Sequence, residues 1–530
     1  MNMQSEPRIG KKTWALIFLL ISCASGTIAI FLGKDVNWDL LNYHYYNAYA
    51  FLHHRLDVDI APAQLQSFFN PLLDVPFYLM AQRLPARTIG FLMGFVHGVN
   101  LSLVLVIFWK IARFSRLWVK ALIGLAIVIV NGAAPAFISE LGGTMNDNVV
   151  SIFVLTAVLL MIMASEYDAE EHSGRGAIAA CAAGLVMGIG VGLKPTASFY
   201  ALGLAFASIM LFDSWPGRIK RFTSYAAFGI IGTLASAGWW WWELWTRFGN
   251  PVFPLLNNIF KSPYVQSIRF IDQRFLPKHI WEYFVWPLVF GLDSARVAEV
   301  RFFDVRFMLI YVPAVGFALR LLVRERSEGR FFKTKPAIFL ILFFVLTFVL
   351  WMITASIYRY LLILELLAPL LFVALLERMF RSNKALIALG VGAALVVLIS
   401  SRPPGWGRVK WTAHYVEVDN TPFADDENAV VVMLGSAPLA YVIPQLPHNM
   451  RFIRAQGNLR LRPGDGFFEN IKKIVREHDG PVYFLFDGTY TKENMKTALK
   501  RLDMDVRLEE CFLLKTNMPG SLLVCRLADL

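Results

Sequence analysis

Charge is scarce in this sequence. Only 17% of its 530 residues are Asp, Glu, Lys or Arg, against about 25% in ordinary soluble domains, which leaves too few charged groups to clothe a soluble protein of this length. Cysteine is scarcer still, with Cys23, Cys181, Cys511 and Cys525 as the full complement. They form no CxxC pair and no Cys/His metal spacing, which excludes the common zinc and dithiol motifs. The glycine in "VVVMLGS" is followed by neither the further glycines nor the lysine of a phosphate-binding fingerprint, so it reads as a turn after a strand. No internal repeat is visible.

Apolar residues are abundant at 56% of the chain, more than a single soluble core of this size requires. A bilayer crossing takes about 20 apolar residues. Runs of that kind predict eleven helices near 13–32, 89–109, 118–135, 148–164, 177–192, 197–212, 222–241, 306–323, 336–353, 359–376 and 384–400. The first lacks a small-residue cleavage site and is read as an anchor rather than a removed signal. "GIGVGLKPTAS" interrupts a nearly continuous apolar stretch, which splits 177–212 into a hairpin.

Basic residues alternate with these runs. Arg8, Lys11 and Lys12, then Lys110, Arg113, Arg116 and Lys120, then Arg218, Lys220 and Arg221, then Arg324, Arg326, Arg330, Lys333 and Lys335, and finally Arg378, Arg381 and Lys384 all fall on one side, expected to be cytoplasmic. The acidic "SEYDAEEHSGRG" at 165–176 belongs to the same side, where acids weigh little in the rule. The net charge of +12 is therefore a topology signal suited to anionic lipid headgroups, and nucleic-acid binding is not implied.

The expected organisation is an α-helical polytopic membrane domain over 1–400, with external loops 33–88 and 242–305, and a small external α/β domain over 401–530. "SRPPGWGRVK" marks the break. Beyond it, "AVVVMLG", "PVYFLF" and "SLLVCRL" read as buried strands, and "GFFENIKKIVREH" reads as a surface helix with Phe468, Ile471 and Ile474 turned inward. Cys511 and Cys525 are either a disulfide in an oxidising periplasm or buried thiols on neighbouring strands. The Trp-rich "GWWWWELW" reads as a membrane-interface belt.

Polar residues with chemical potential gather away from the basic loops. Asp39 follows the first span, Glu140 and Asp147 lie in "ELGGTMNDN", Lys194 in "GLKPTAS", and Arg359 with Tyr360 in "SIYRYLL". Arg247, Asp272, Arg274 and Asp293 add to the loop at 242–305, and Glu365 lies inside the tenth span. A helix over 37–53 would set Asp39 and Tyr43 on one side and Leu40, Leu41, Ala48 and Phe51 on an apolar side lying on the bilayer. Asp39 could there accept a proton from an incoming hydroxyl, with Asn42, Tyr43 and His44 orienting it, or Asp39 and Asn37 could simply cap the helix. His53 and His54 carry no metal-site pattern.

The Asp39–Tyr43 pair in "NWDLLNYHYYN", together with "SIYRYLL" and "GLKPTAS", resembles the GT-C class of integral-membrane glycosyltransferases that use polyprenyl-phosphate sugars. The resemblance covers about residues 10–400 and departs from one branch of the class at Leu40, where a second acid is common. It implies Asp39 as the catalytic acid–base residue, Tyr43 as the aromatic that follows it, and Arg359, Tyr360 and Lys194 beside a lipid phosphate. His44, Glu140 and Asp147 complete the expected substrate contacts. It further implies a bacterial inner-membrane enzyme, for which the basic loops and eleven spans give a cytoplasmic N-terminus and a periplasmic or extracellular C-terminal domain. Its partners would be a polyprenyl-phosphate sugar donor, a glycan, lipid or protein acceptor, and membrane lipids, with no nucleic acid. No cofactor is required by this chemistry, although Glu140, Asp147, Asn146 and Thr144 with Asp39 form a set of hard ligands on which a divalent cation could draw. The alternatives are a lipid or glycolipid transporter, which Glu365 favours, and a nonenzymatic envelope assembly protein.

Overall fold

The computed structural model describes residues 9–170, 172–270, 272–322, 329–420, 423, 428–501 and 508–527. Arg8, Arg324 and Arg326 lie outside them. The chain divides into two compact units, one gathering Met1–Phe31, Phe91–Ala237 and Asp272–Trp406, the other Leu32–Gly90, Gly238–Ile271 and Gly407–Leu530.

The first unit is helical. Among the described residues, seven helical segments are long and apolar enough to cross a membrane: Lys11–Leu32, Ala86–Ile111, Asp147–Ala169, Ser173–Leu193, Thr334–Thr354, Tyr358–Met379 and Asn383–Ser400. By length and composition this is a multi-pass membrane protein. The other four expected spans are also helices, yet Ser198–Ser208, Leu117–Gly132 and Arg306–Leu322 have 11, 16 and 17 residues. At about 1.5 Å per residue each falls short of a bilayer core of about 30 Å. The fourth, Trp215–Thr233, carries Arg218, Lys220 and Arg221.

Glycine spacing sets the closest packing in this unit. A Cβ on Gly184 would meet the carbonyl oxygen of Tyr225 at 2.2 Å, one on Gly188 that of Gly229 at 2.0 Å, and one on Gly232 that of Leu185 at 2.2 Å. Ser173–Leu193 and Trp215–Thr233 thus approach backbone to backbone, as small residues four apart allow in a bilayer. The expected break is present. Helix Ser173–Leu193 ends at Lys194, which takes extended geometry before Pro195, and a new helix starts at Ser198.

The acidic "SEYDAEEH" segment acts as a hub for the basic loops. Glu166 binds Lys110 at 2.6 Å and Lys333 at 3.1 Å, and Asp168 binds Arg221 at 2.6 Å. Nineteen residues separate Glu166 from Asp147 along helix Asp147–Ala169, roughly 29 Å at its rise per residue. Whatever Asp147 assembles therefore lies at the far end of the unit from these basic side chains.

The second unit carries a five-stranded mixed sheet. Its spatial order is Arg451–Arg454, Val430–Met433, Val482–Asp487, Leu522–Leu527, Leu508–Leu514, parallel across the first three strands and antiparallel across the last three. Cys511 and Cys525 face each other in register and are disulfide-bonded. Helix Gly466–Glu477 buries Phe467, Phe468, Ile471 and Val475, so the inward stripe turns slightly from the one expected and leaves Ile474 at its margin.

One expectation fails in this unit. The stretch after Asn37 is helical, with a π-turn at Leu40–His44 leading into Tyr45–Leu52, but Leu40, Tyr43, Tyr45, Tyr46, Ala48, Tyr49 and Ala50 are all buried. It is a core helix, not an amphipathic one lying on a bilayer. Its hydroxyls and amides are spent on distant partners: Tyr45 accepts from Gln82 and Gln445 at 2.7 and 2.9 Å, Tyr46 donates to Asp59 at 3.0 Å, and Asn47 donates to the carbonyl of Gln66 at 2.8 Å. Trp240 of the Trp-rich segment is likewise a core residue, its indole donating to the Phe68 carbonyl at 2.9 Å, whereas Trp242 and Trp245 are exposed.

Candidate functional site

The first unit brings five of the expected residues into one charged cluster. Its foundation is Glu365, which is fully buried. Its carboxylate accepts the backbone N–H of Ala136 at 3.0 Å and of Phe137 at 3.2 Å, fixing the start of the short helix Pro135–Ser139. The Tyr358 hydroxyl lies 2.9 Å from Glu365 Oε1 and 2.5 Å from Asp304 Oδ2, and Arg306 lies 3.1 Å from that same Asp304 oxygen. Glu365 is therefore a fastening within the helix bundle. Sequence reading had no means to pair it with Asp304, Arg306 or the backbone of Pro135–Ser139.

From that fastening the chain turns through "ELGGTMNDN". Gly142 takes a φ of 71°, which a side chain would resist, and its N–H donates to His97 Nδ1 at 3.2 Å. Asn146 occupies the cap position at φ 68° without a side-chain cap hydrogen bond, and Asp147 is the first helical residue. A carboxylate there is favoured by the helix dipole. Asp147 Oδ1 lies 2.5 Å from Lys194 Nζ, which also donates to the Met145 carbonyl at 2.8 Å.

Opposite stand Arg359 and Tyr360. Tyr358 turns into the core, its ring tilted 3.9 Å from that of Phe302, while Arg359 and Tyr360 border a cleft. The Tyr360 ring takes both cations, with Lys194 Nζ at 5.6 Å and Arg359 Cζ at 5.3 Å from its centroid. Its backbone carbonyl accepts from the Tyr200 hydroxyl, a contact not foreseen in the sequence. Asp147, Arg359, Tyr360, Tyr200 and Thr196 line a small cleft.

Glu140 is within electrostatic reach of both cations. It is 2% exposed, and neither carboxylate oxygen has a hydrogen-bond partner among the described residues. Burial, then the like charge of Asp147, push its carboxyl well above the usual range, while Lys194 and Arg359 pull the other way. Asp147 Oδ2 is also buried without a partner among them. The cluster thus sets two cations near three carboxylate oxygens that have no hydrogen-bond partner among the described residues.

The second unit holds Asp39, Tyr43 and His44. Capping falls to Asn37, whose Oδ1 accepts the Leu40 N–H at 2.9 Å while its amide donates to Asp35 at 2.6 Å. Asp39 precedes the π-turn and makes no side-chain cap bond. In an α-helix residues i+3 and i+4 flank residue i, whereas i→i+5 bonding moves the flanking places to i+4 and i+5. His44 thereby joins Tyr43 beside the line through Asp39. His44 Nδ1 lies 2.6 Å from Asp74 Oδ1, with both residues buried and the Tyr43 ring 4.0 Å from the imidazole. Asp74, a lone acid in "NPLLDVPF", is the member that sequence reading passed over.

The remaining loop residues are engaged locally. Arg247 pairs with Glu243 at 2.7 Å, Arg274 with Asp272 at 2.6 Å, and Asp293 accepts the Ala295 N–H at 3.2 Å. His53 stacks 5.3 Å from His448 and lies tilted 4.7 Å from Tyr49. A groove of about 920 Å³ in the second unit is bordered by Asp57, Arg247, Arg451, Lys473 and Glu477. It opens where strands Val430–Met433 and Arg451–Arg454 begin, away from the carboxyl ends at which open α/β sheets bind ligands. No group of three or more His, Cys, Asp or Glu is placed to hold a metal ion among the described residues.

The chain matches no family model and no curated protein. Its function has to be argued from these two sites.

Proposed function

We propose that this protein is a membrane glycosyltransferase, which moves a sugar from a polyprenyl-phosphate donor to a glycan, lipid or protein acceptor on the outer face of a bacterial inner membrane. The observation that carries this reading is the sharing of the Tyr360 ring by Lys194 and Arg359 at the end of the unit away from the basic hub. With that hub in the cytoplasm, as the positive-inside rule directs, the two cations stand at the outer headgroup level. Sugar nucleotides are confined to the other side.

Each unit then has a task. In the first, Arg359 offers planar, charge-assisted hydrogen bonds to a phosphate diester, and Lys194 adds a point charge through the N–H not given to Asp147 or Met145. As the anomeric C–O bond breaks, negative charge grows on the departing phosphate, which these cations stabilise in a poorly hydrated setting. In the second, Asp39 takes the proton of the incoming hydroxyl, with Tyr43 and His44 as its orienting neighbours. Direct displacement inverts the anomeric centre. The transporter alternative loses its main support, since Glu365 is committed to Ala136, Phe137 and Tyr358.

The test is the binding of a labelled polyprenyl-phosphate monosaccharide to purified protein. Arg359→Lys keeps the charge and loses the fork, so it should weaken binding by about tenfold, and Arg359→Ala by about tenfold to a hundredfold. Unchanged affinity in folded R359A would overturn the phosphate site.

A further inference from the structure

Glu140 has an environment unlike that of any other carboxylate in the cluster. Asp147 has Lys194, and Glu365 has two backbone N–H groups and Tyr358. Glu140 is equally buried with no hydrogen bond from the described residues to either oxygen. An ionised carboxylate in such a place forfeits its hydration and gains no hydrogen bond from the described residues, only the attraction of Lys194 and Arg359, which burial and Asp147 outweigh, so the neutral acid is the form that the site accommodates.

Charge gives this a consequence. Protonating Glu140 removes one negative charge from the surroundings of Lys194 and Arg359, which favours a phosphate diester beside them. Resting on the proposed phosphate site, we infer that anion binding beside Lys194 and Arg359 is coupled to proton retention on Glu140, which makes the donor site a proton-linked one. The ligand class is a lipid phosphodiester, and the proton makes no bond to it; Glu140 acts through the charge of the site as a positioning residue.

Other titratable and charged groups face the same region: Asp147 at the head of its helix, Lys194 after helix Ser173–Leu193, Arg359 and Glu365 on the segment Tyr358–Met379, and His97, whose Nδ1 accepts the Gly142 N–H. Glu140 has its carboxyl held above its ordinary range by burial and by Asp147, and unlike Glu365 it accepts no hydrogen bond from the described residues. The sign follows from that. Below its raised midpoint Glu140 is neutral and the anion binds tightly; as pH rises through the midpoint the carboxylate forms and affinity falls.

The probe is a short-chain dialkyl phosphate, whose single charge is constant from about pH 5 to about pH 9, titrated into the full-length protein in detergent. Wild-type affinity should fall by about tenfold across that range, a typical coupling between neighbouring sites. Glu140→Gln, which keeps the size and stays neutral, should bind at every pH as wild type does at its acid end. A slope unchanged in E140Q overturns the inference, and loss of the slope in His97→Gln instead would assign it to His97. Calorimetry of wild type in two buffers of different ionisation enthalpy gives a measure independent of any variant. Proton uptake on binding near the midpoint is expected, and zero uptake throughout the range overturns the coupling. Binding that R359A leaves untouched, or no binding at all, sinks the phosphate site and the inference with it, whereas R359A-sensitive binding without a pH slope sinks only the inference.

Discussion

Lys194 Nζ stands 2.5 Å from Asp147 Oδ1, joining the turn after one helix to the first residue of another. The side chains are 15% and 7% exposed, so neither charge has much water to fall back on. Lys194→Met should leave a buried Asp147 carboxylate uncompensated and cost about 3–5 kcal/mol. Removing both charges in K194M/D147N should cost less than the single change, because no orphaned ion remains. Unfolding of detergent-purified variants measures this, and additive losses would show that the two groups are not coupled. Any loss of donor binding in a Lys194 variant has to be read against this stability effect.

Glu365 fastens Pro135–Ser139 to the segment bearing Arg359. Glu365→Ala removes the acceptors of the Ala136 and Phe137 N–H groups, while Tyr358 keeps Asp304, and each buried N–H left unpaired should cost about 1–3 kcal/mol. Glu365→Gln keeps one carbonyl oxygen and should cost less. Amide hydrogen exchange at Ala136 and Phe137 should quicken in E365A before the rest of the bundle opens. Protection as in wild type would show that the helix start is held by something else.

The Cys511–Cys525 bridge closes a stretch of 14 residues between adjacent strands. Loops of about that size lose roughly 3 kcal/mol of stability on opening. Alkylation of the denatured protein should detect Cys23 and Cys181 before reduction and all four cysteines after it. Four reactive thiols without reductant would remove the bridge and its pointer to an oxidising, extracytoplasmic compartment.

Much of the helical architecture was legible because a bilayer-length apolar run can hardly be anything else, and the break at "LKPTA" because proline ends what precedes it. Strands Val430–Met433, Val482–Asp487 and Leu522–Leu527 announced themselves as short apolar runs. Arg451–Arg454 was missed because "RFIR" carries charges on either side of buried Phe452 and Ile453, and Leu508–Leu514 because "LEECFLL" breaks its apolar run with two acids. The π-turn at Leu40–His44 leaves no mark in composition, and the burial of Tyr45 and Tyr46 depends on Gln445 and Asp59. Likewise, His44 needs Asp74 thirty positions on, and Glu365 needs Asp304 and Arg306. Long-range partners of this kind are set by tertiary packing, which a linear pattern of residues does not encode.

Asn37 and Asp39 separate structure from chemistry within three residues. Asn37 caps the π-turn through Leu40 and bonds Asp35, so Asn37→Ala should cost about 1 kcal/mol in stability and leave sugar transfer per folded molecule nearly unchanged. Asp39 makes no cap bond. Asp39→Asn preserves its size and removes most of its proton affinity, so stability should hold while transfer falls by about 10²- to 10⁴-fold, the range attributed to general-base catalysis. The flanking place of His44 adds a graded control: Asp74→Asn weakens the contact that orients the imidazole and should lower transfer by less than D39N does. Thermal unfolding and transfer rates with a polyprenyl-phosphate sugar, measured on the same preparations, decide the matter. If N37A lost transfer in proportion to D39N while D39N lost stability, Asp39 would be one more structural residue of a buried helix and the base would have to be sought elsewhere.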